Sequence, residues 1–131
     1  MLLLFSYICK IIDKMNKLVW IDDLRNPFLG NWIKDYSPIS IKNLDIIWVK
    51  SFRDFKEYLD KNGLPNAICF DHDLGYNGPE PEENGMTCAR YLVDYCMDNN
   101  LKLPEYNIQS SNTVGADNIR HLLENFKRLV Q

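Results

Sequence analysis

Two short runs of bulky apolar residues each stop abruptly at carboxylates, and this repeated pattern constrains the fold more than any other feature. Ile68-Cys69-Phe70 runs into Asp71-His72-Asp73-Leu74-Gly75, and Leu18-Val19-Trp20-Ile21 runs into Asp22-Asp23-Leu24-Arg25. Continuous apolar runs this short read as strands buried on both faces. Such strands belong to parallel sheets, whose ligand crevices lie beyond the carboxyl ends of the strands. If the two strands are neighbours, Asp22, Asp23, Asp71, Asp73 and His72 share one rim.

The rest of the chain alternates strand and helix signals. Residues 45–49 and 105–109 read as further strands, and 67–70 as the third. Ser51, with Asp54 three residues on, caps a helix whose apolar stripe is Phe52, Phe55, Tyr58 and Leu59, and Asn62-Gly63 ends it. Cys88, Tyr91, Leu92, Tyr95 and Cys96 recur at helical spacing over 86–99, and the last helix carries Ile119, Leu122, Leu123, Phe126, Leu129 and Val130. Residues 24–44 keep no period, so an irregular connection is expected, with a short helix near 30–34 and with Trp32 and Phe28 pinning it by packing. Residues 76–85, rich in glycine, proline and acid, read as an exposed loop leaving the Asp71 rim, either a lid or a solvated connection. Alternation of this kind implies an α/β domain with a mostly parallel sheet of about four strands and right-handed crossovers.

The length of 131 residues suits one domain, with 46% hydrophobic and 25% charged residues typical of a globular chain. A net charge of −3 argues against an extended nucleic-acid surface. Cys9, Cys69, Cys88 and Cys96 lack metal-ligand spacing and read as buried hydrophobes in a reducing cytoplasm. Residues 1–14 are too short to span a bilayer and read as an upstream extension, with a peripheral membrane anchor as the alternative; the domain proper begins at Met15.

Asp22, Asp23, Asp71 and Asp73 would repel one another at a shared rim unless a cation or protons neutralised them. Oxygen-only ligands suit a hard divalent ion such as Mg²⁺, which bridges carboxylates to phosphate. The plainer alternative is that some of these aspartates merely cap turns. An imidazole between two carboxylates suits His72 to proton transfer, although alternation along a strand turns it away from Asp71 and Asp73, and a satisfied buried histidine is the competing reading. Ser110-Ser111-Asn112-Thr113-Val114-Gly115 offers hydroxyls and a helix start to an anion, a role it shares with ordinary capping. Arg25, three residues after Asp22, can reach a phosphate or pair with an aspartate. His121, Arg120 and Lys127 read as residues of a solvated helix face.

Asp22-Asp23-Leu24-Arg25, Asp71-His72-Asp73-Leu74-Gly75 and Ser110-x-Asn112-x-x-Gly115-x-x-Asn118-Ile119 together resemble the three motifs of the cyclic-phosphate-processing receiver-like domains. The resemblance covers Lys17 to the C-terminus. It implies a compact receiver-like, flavodoxin-type three-layer sandwich, found in bacterial and phage proteins. It also implies binding or hydrolysis of cyclic phosphates at RNA ends or in cyclic nucleotides. On this footing Asp22, Asp23 and Asp71 would hold the metal, and His72, Asp71 and Asp73 would be catalytic. Arg25, Gln109, Ser110, Asn112 and Asn118 would then line the phosphate side. Members of the family commonly carry histidine where this chain has Gln109, and glutamine cannot shuttle a proton near neutral pH, which keeps a weakened enzyme or a sequestering nucleotide binder open. A phosphoaccepting signalling receiver is similar in outline, but no lysine follows the strand at 105–109, so it ranks second among the similar folds.

Overall fold

The computed structural model describes residues 3–8, 15–75 and 82–130. Cys9 and residues 76–81 of the expected lid lie outside the described residues. Four strands, β1 (Asn16–Ile21), β2 (Leu44–Val49), β3 (Ala67–Phe70) and β4 (Glu105–Ile108), form one sheet in the order β2-β1-β3-β4. Every neighbouring pair is parallel. The helices are α1 (Trp32–Tyr36), α2 (Phe52–Asn62), α3 (Gly85–Asp98) and α4 (Thr113–Val130). Residues 3–8 form a further helical turn with exposed side chains.

Register determines what meets at the rim. Ile21 pairs with Val49 on one side and Phe70 on the other, and Phe70 pairs with Ile108. The ladder continues one residue further, because Asp22 N–H donates to Val49 O at 3.0 Å, Asp71 N–H to Ile21 O at 2.9 Å, and Gln109 N–H to Phe70 O at 2.9 Å. Asp22 and Asp71 are therefore the first residues beyond the two central strands. The chain leaves β1 toward β2 and leaves β3 toward β4, so the connections diverge between these strands, which is where doubly wound sheets open a crevice.

Alternation along the strands divides the core. Val19, Ile21, Ile68 and Phe70 pack with Phe55 and Leu59 of α2, Leu92 of α3, and Ile119 and Leu123 of α4. Leu18, Trp20, Ala67 and Cys69 face the opposite way, onto Ile33 of α1, with Trp32, Tyr36 and Trp48 closing the layer. The result is a three-layer α/β sandwich of the flavodoxin type, whose thinner layer is a five-residue helix and its loop. Burial pushes the Cys69 thiol up to about 12 and that of Cys96 to about 11, and raises Cys88 as well, so all three behave as small apolar residues.

Local signals explain the helix ends. The Ser51 hydroxyl accepts from Asp54 N–H at 3.1 Å, and Gly63 closes α2 with a left-handed φ of 80°. Asn84 and Thr87 form a capping box at the start of α3. Two packing expectations need correction. Phe28 is 62% exposed and does not pin the connection, a task that falls to Trp32 and Ile33. Leu129 and Val130 are 84% and 45% exposed, because the last turn of α4 runs past the layer it packs on.

Candidate functional site

Asp22 is fully buried, and its own turn satisfies it: Oδ1 accepts from Leu24 N–H at 3.0 Å and Arg25 N–H at 2.9 Å. This Asx turn bends the chain straight back over the rim. The Arg25 guanidinium consequently reaches Asp22 Oδ2 at 3.1 Å and Asp71 Oδ2 at 3.6 Å. It also lies over the Trp32 ring, 5.4 Å from the centroid. Trp20 Nε1–H donates to Arg25 O, and Trp48 Nε1–H to Asp22 O, so the indoles of the thin layer hold the turn in place.

Asp71 sits beside this pair, 6% exposed, with Oδ1 accepting from His72 N–H at 2.8 Å. Burial and then the charge of Asp22 push its carboxyl up to about 6, against the opposing pull of Arg25, the Ser110 hydroxyl and the His72 amide. Asp23 completes the group. Carboxylate oxygens of Asp22, Asp23 and Asp71 lie within 4.8 Å of one another, and Asp23 Oδ1 is buried without a hydrogen-bond partner. Gly75, at φ +60°, leaves room for this carboxylate, since a Cβ there would stand 2.6 Å from Asp23 Oδ2.

A cleft of about 410 Å³ opens above the group, lined by Asp23, Arg25, Asp71, Asp73, Gly75 and Ser111 among others. A hollow of about 400 Å³ between Cys96, Leu101, Phe126 and Val130 is comparable in size but gathers no carboxylates. Convergent chemistry, rather than volume, singles out the cleft at the rim.

His72 faces the α4 side, away from Asp71 as strand alternation implies. The expected separation from Asp73 does not hold: β3 ends at Phe70, and beyond it Asp73 turns to the same side and bonds the His72 ring. His72 does not line the cleft, and its side chain is 16% exposed. Its ring packs on the first turn of α4, where a Cβ on Gly115 would come within 2.4 Å of His72 Cγ. Nδ1 lies 2.8 Å from Asp73 Oδ1, and this hydrogen bond holds the Asp73 carboxyl below its ordinary range. An ionised carboxylate only accepts, so Nδ1 carries the proton and a neutral ring has its lone pair on Nε2. Asn112 joins them: its Oδ1 caps α4 by accepting from Gly115 N–H at 2.9 Å, while Nδ2 stands 3.3 Å from Asp73 Oδ1.

The rim thus brings Asp22, Asp23, Asp71 and Arg25 together on the α1 side, and His72, Asp73, Asn112 and Ser110 beside them on the α4 side. Two expected phosphate ligands lie apart. Gln109 is 3% exposed, with Nε2–H donating to Ile21 O at 2.9 Å and Oε1 unpartnered, so it ties β4 to β1 beneath the rim. Asn118 is exposed on α4 and does not line the cleft. His121 is exposed, as is Arg120, which pairs with Asp117. Ser111, rather than its neighbour Ser110, opens into the cleft. Trp32 as the platform under Arg25, and the fit of Gly75, Gly85 and Gly115 against the rim, have no signal in the sequence pattern beyond the glycines at the heads of α3 and α4. Among the described residues no helix is long and apolar enough to cross a membrane.

No curated protein matches the chain significantly. Among solved structures, a yeast Spc42 trimeric coiled-coil segment fused to another protein superposes with a TM-score of 0.51 at 15% identity, over 88% of this chain and 81% of the other. The phosphorylated cyanobacterial phytochrome response regulator RcpA is also similar, at a TM-score of 0.44 and 13% identity, over 88% and 91% of the two chains. A family model for cyclic-phosphate processing receiver domains matches residues 17–125, a span that takes in β1 to most of α4 and all three motifs. The chain belongs to the cyclic-phosphate processing receiver domain family.

Proposed function

We propose that this chain binds a cyclic phosphate, at an RNA terminus or in a cyclic nucleotide, in the cleft over Asp23, Asp71 and Asp73, and hydrolyses it with the help of a divalent cation. The observation that carries the reading is the trio of carboxylates within 4.8 Å, one of whose buried oxygens has no partner. Such a set fits a hard cation. Its donors are all oxygens, Asp23 Oδ1 is free to ligate, and burial followed by the Asp22 charge raises the Asp71 carboxyl despite the pull of Arg25, so a further positive charge there is favourable. When bound, magnesium would supply charge neutralisation and polarisation of phosphoryl oxygens.

The chain's own residues divide the remaining work. Arg25 and Ser111 present donors on the cleft wall to the phosphate oxygens. Asp73 faces the same cleft and orients an attacking water through its carboxylate. His72, bonded to Asp73 and out of the cleft, is the positioning and proton-sharing partner of that carboxylate. The amino-terminal end of α4, capped by Asn112, places a helix dipole beside the same group.

Incubating the full chain with 2′,3′-cyclic and 3′,5′-cyclic nucleotides, with and without Mg²⁺, tests this. The expected result is Mg²⁺-dependent ring opening, lost in Asp23→Asn and Asp71→Asn and reduced on the order of a hundredfold in His72→Ala. Absence of turnover would remove the enzymatic part. A second reading, a nucleotide-sequestering protein without turnover, is favoured by Gln109, which is buried on Ile21 O and brings no second titratable group to the rim. Tight binding without product would select it.

A further inference from the structure

Arg25 occupies the place a cation would take. In both Asp22 and Asp71 one carboxylate oxygen is held by backbone N–H groups, and the other, Oδ2, faces Arg25 Nη1 at 3.1 Å and 3.6 Å. The Arg25 side chain is only about one-quarter exposed, and its guanidinium rests on Trp32, which in turn stacks on Tyr36. Asp23 Oδ1 is buried without a hydrogen-bond partner, but the carboxylate of one residue is too little for a divalent ion that takes six or more oxygen ligands, even with several from water. A cation that draws on Asp22 or Asp71 must therefore use the very oxygens that Arg25 faces. At that separation two positive charges in a partly buried pocket repel strongly.

We propose that Arg25 is the pocket's resident counter-ion, which must swing off Asp22 and Asp71 before a divalent ion is held, so that the guanidinium both sets the metal affinity and is released toward the cleft when metal enters. This rests on reading the acid cluster as a cation site. The pairing offsets the mutual repulsion of Asp22 and Asp71 in the metal-free pocket, and the released group faces the cleft that Arg25 already lines.

The test is a titration of the full chain with Mn²⁺, read by electron paramagnetic resonance, together with a Mg²⁺ titration of the Arg25 Nε–H signal by ¹⁵N NMR. Arg25→Gln is expected to bind Mn²⁺ more tightly, on the order of tenfold. The charge control Lys50→Gln, at a residue that lies over Trp48 at the end of β2, should change affinity by less than about twofold. In the wild type the Arg25 signal should shift with the same midpoint as metal binding. Equal or weaker binding by Arg25→Gln, or an Arg25 signal unmoved at saturating Mg²⁺, would overturn the inference alone. No binding by either protein would overturn the cation site and the inference with it. If Arg25→Gln does not fold, the NMR titration of the wild type decides by itself.

Discussion

Asp71 and Asp73 stand two residues apart at the end of one strand, yet their surroundings push them in opposite directions. Asp71 lies on the α1 side, buried beside the Asp22 charge, and its carboxyl is raised to about 6. Asp73 lies on the α4 side, its side chain 60% exposed, and the bond from His72 holds its carboxyl below the ordinary range. One half of the rim therefore stores unfavourable charge, and the other is a satisfied network at the surface. Carboxylates driven apart in this way are a general device for giving neighbouring acids different tasks.

The contrast can be broken most forcefully through the backbone both halves share. Gly85 opens α3 directly against the rim, donating its N–H to His72 O, and a Cβ there would stand 1.9 Å from Asp71 O. Gly85→Ala must move main chain, so it should destabilise the protein by about 3 kcal/mol in urea unfolding. It should also disturb both halves together.

Asp71→Asn addresses the charged half alone. A folded carboxyl titrating near 6 rather than at the ordinary 3.8 binds more protons than the unfolded chain between those values, so stability falls as pH rises through that window. The asparagine variant removes the penalty. It should be more stable than wild type by about 2 kcal/mol at pH 8, with the difference shrinking steadily toward pH 4. A difference independent of pH would contradict the assignment.

Packing on the α4 side gives a smaller effect. Gly115→Ala drives a methyl into the His72 ring, a side chain rather than backbone, and should cost about 1.5 kcal/mol. In a His72→Ala background the same substitution should cost under about 0.5 kcal/mol, a coupling that a double-mutant cycle reads directly. Smallest of all, Asp73→Asn should change stability by less than about 0.5 kcal/mol, since its partners lie at a solvated edge. A larger loss would mean that the two halves are not as different as their burial implies.

Much of this arrangement was legible in the sequence because its cause is local. Apolar runs ending in Asp22 and Asp71 announced both central strands, and parallel register then fixes the two carboxylates side by side. The turn of His72 away from the cleft followed from strand alternation. What stayed hidden depends on distant contacts. Arg25 is visibly three residues from Asp22, but its reach to Asp71 exists only once β1 and β3 are neighbours. Phe28 and Leu129 have the apolar character of core residues, and only the extent of the layers beneath them decides that they stay exposed. Gln109 reads as a motif position, yet the pairing of β3 with β4 buries it across to Ile21 O.

The most direct test of the charged pocket is a ¹³C NMR titration of the Asp71 side-chain carboxyl, with and without Mg²⁺. The expected midpoint is near 6 in the absence of metal, moving downward when Mg²⁺ is added because a cation favours the ionised form. A midpoint in the ordinary carboxylate range, unmoved by Mg²⁺, would contradict this reading of the pocket.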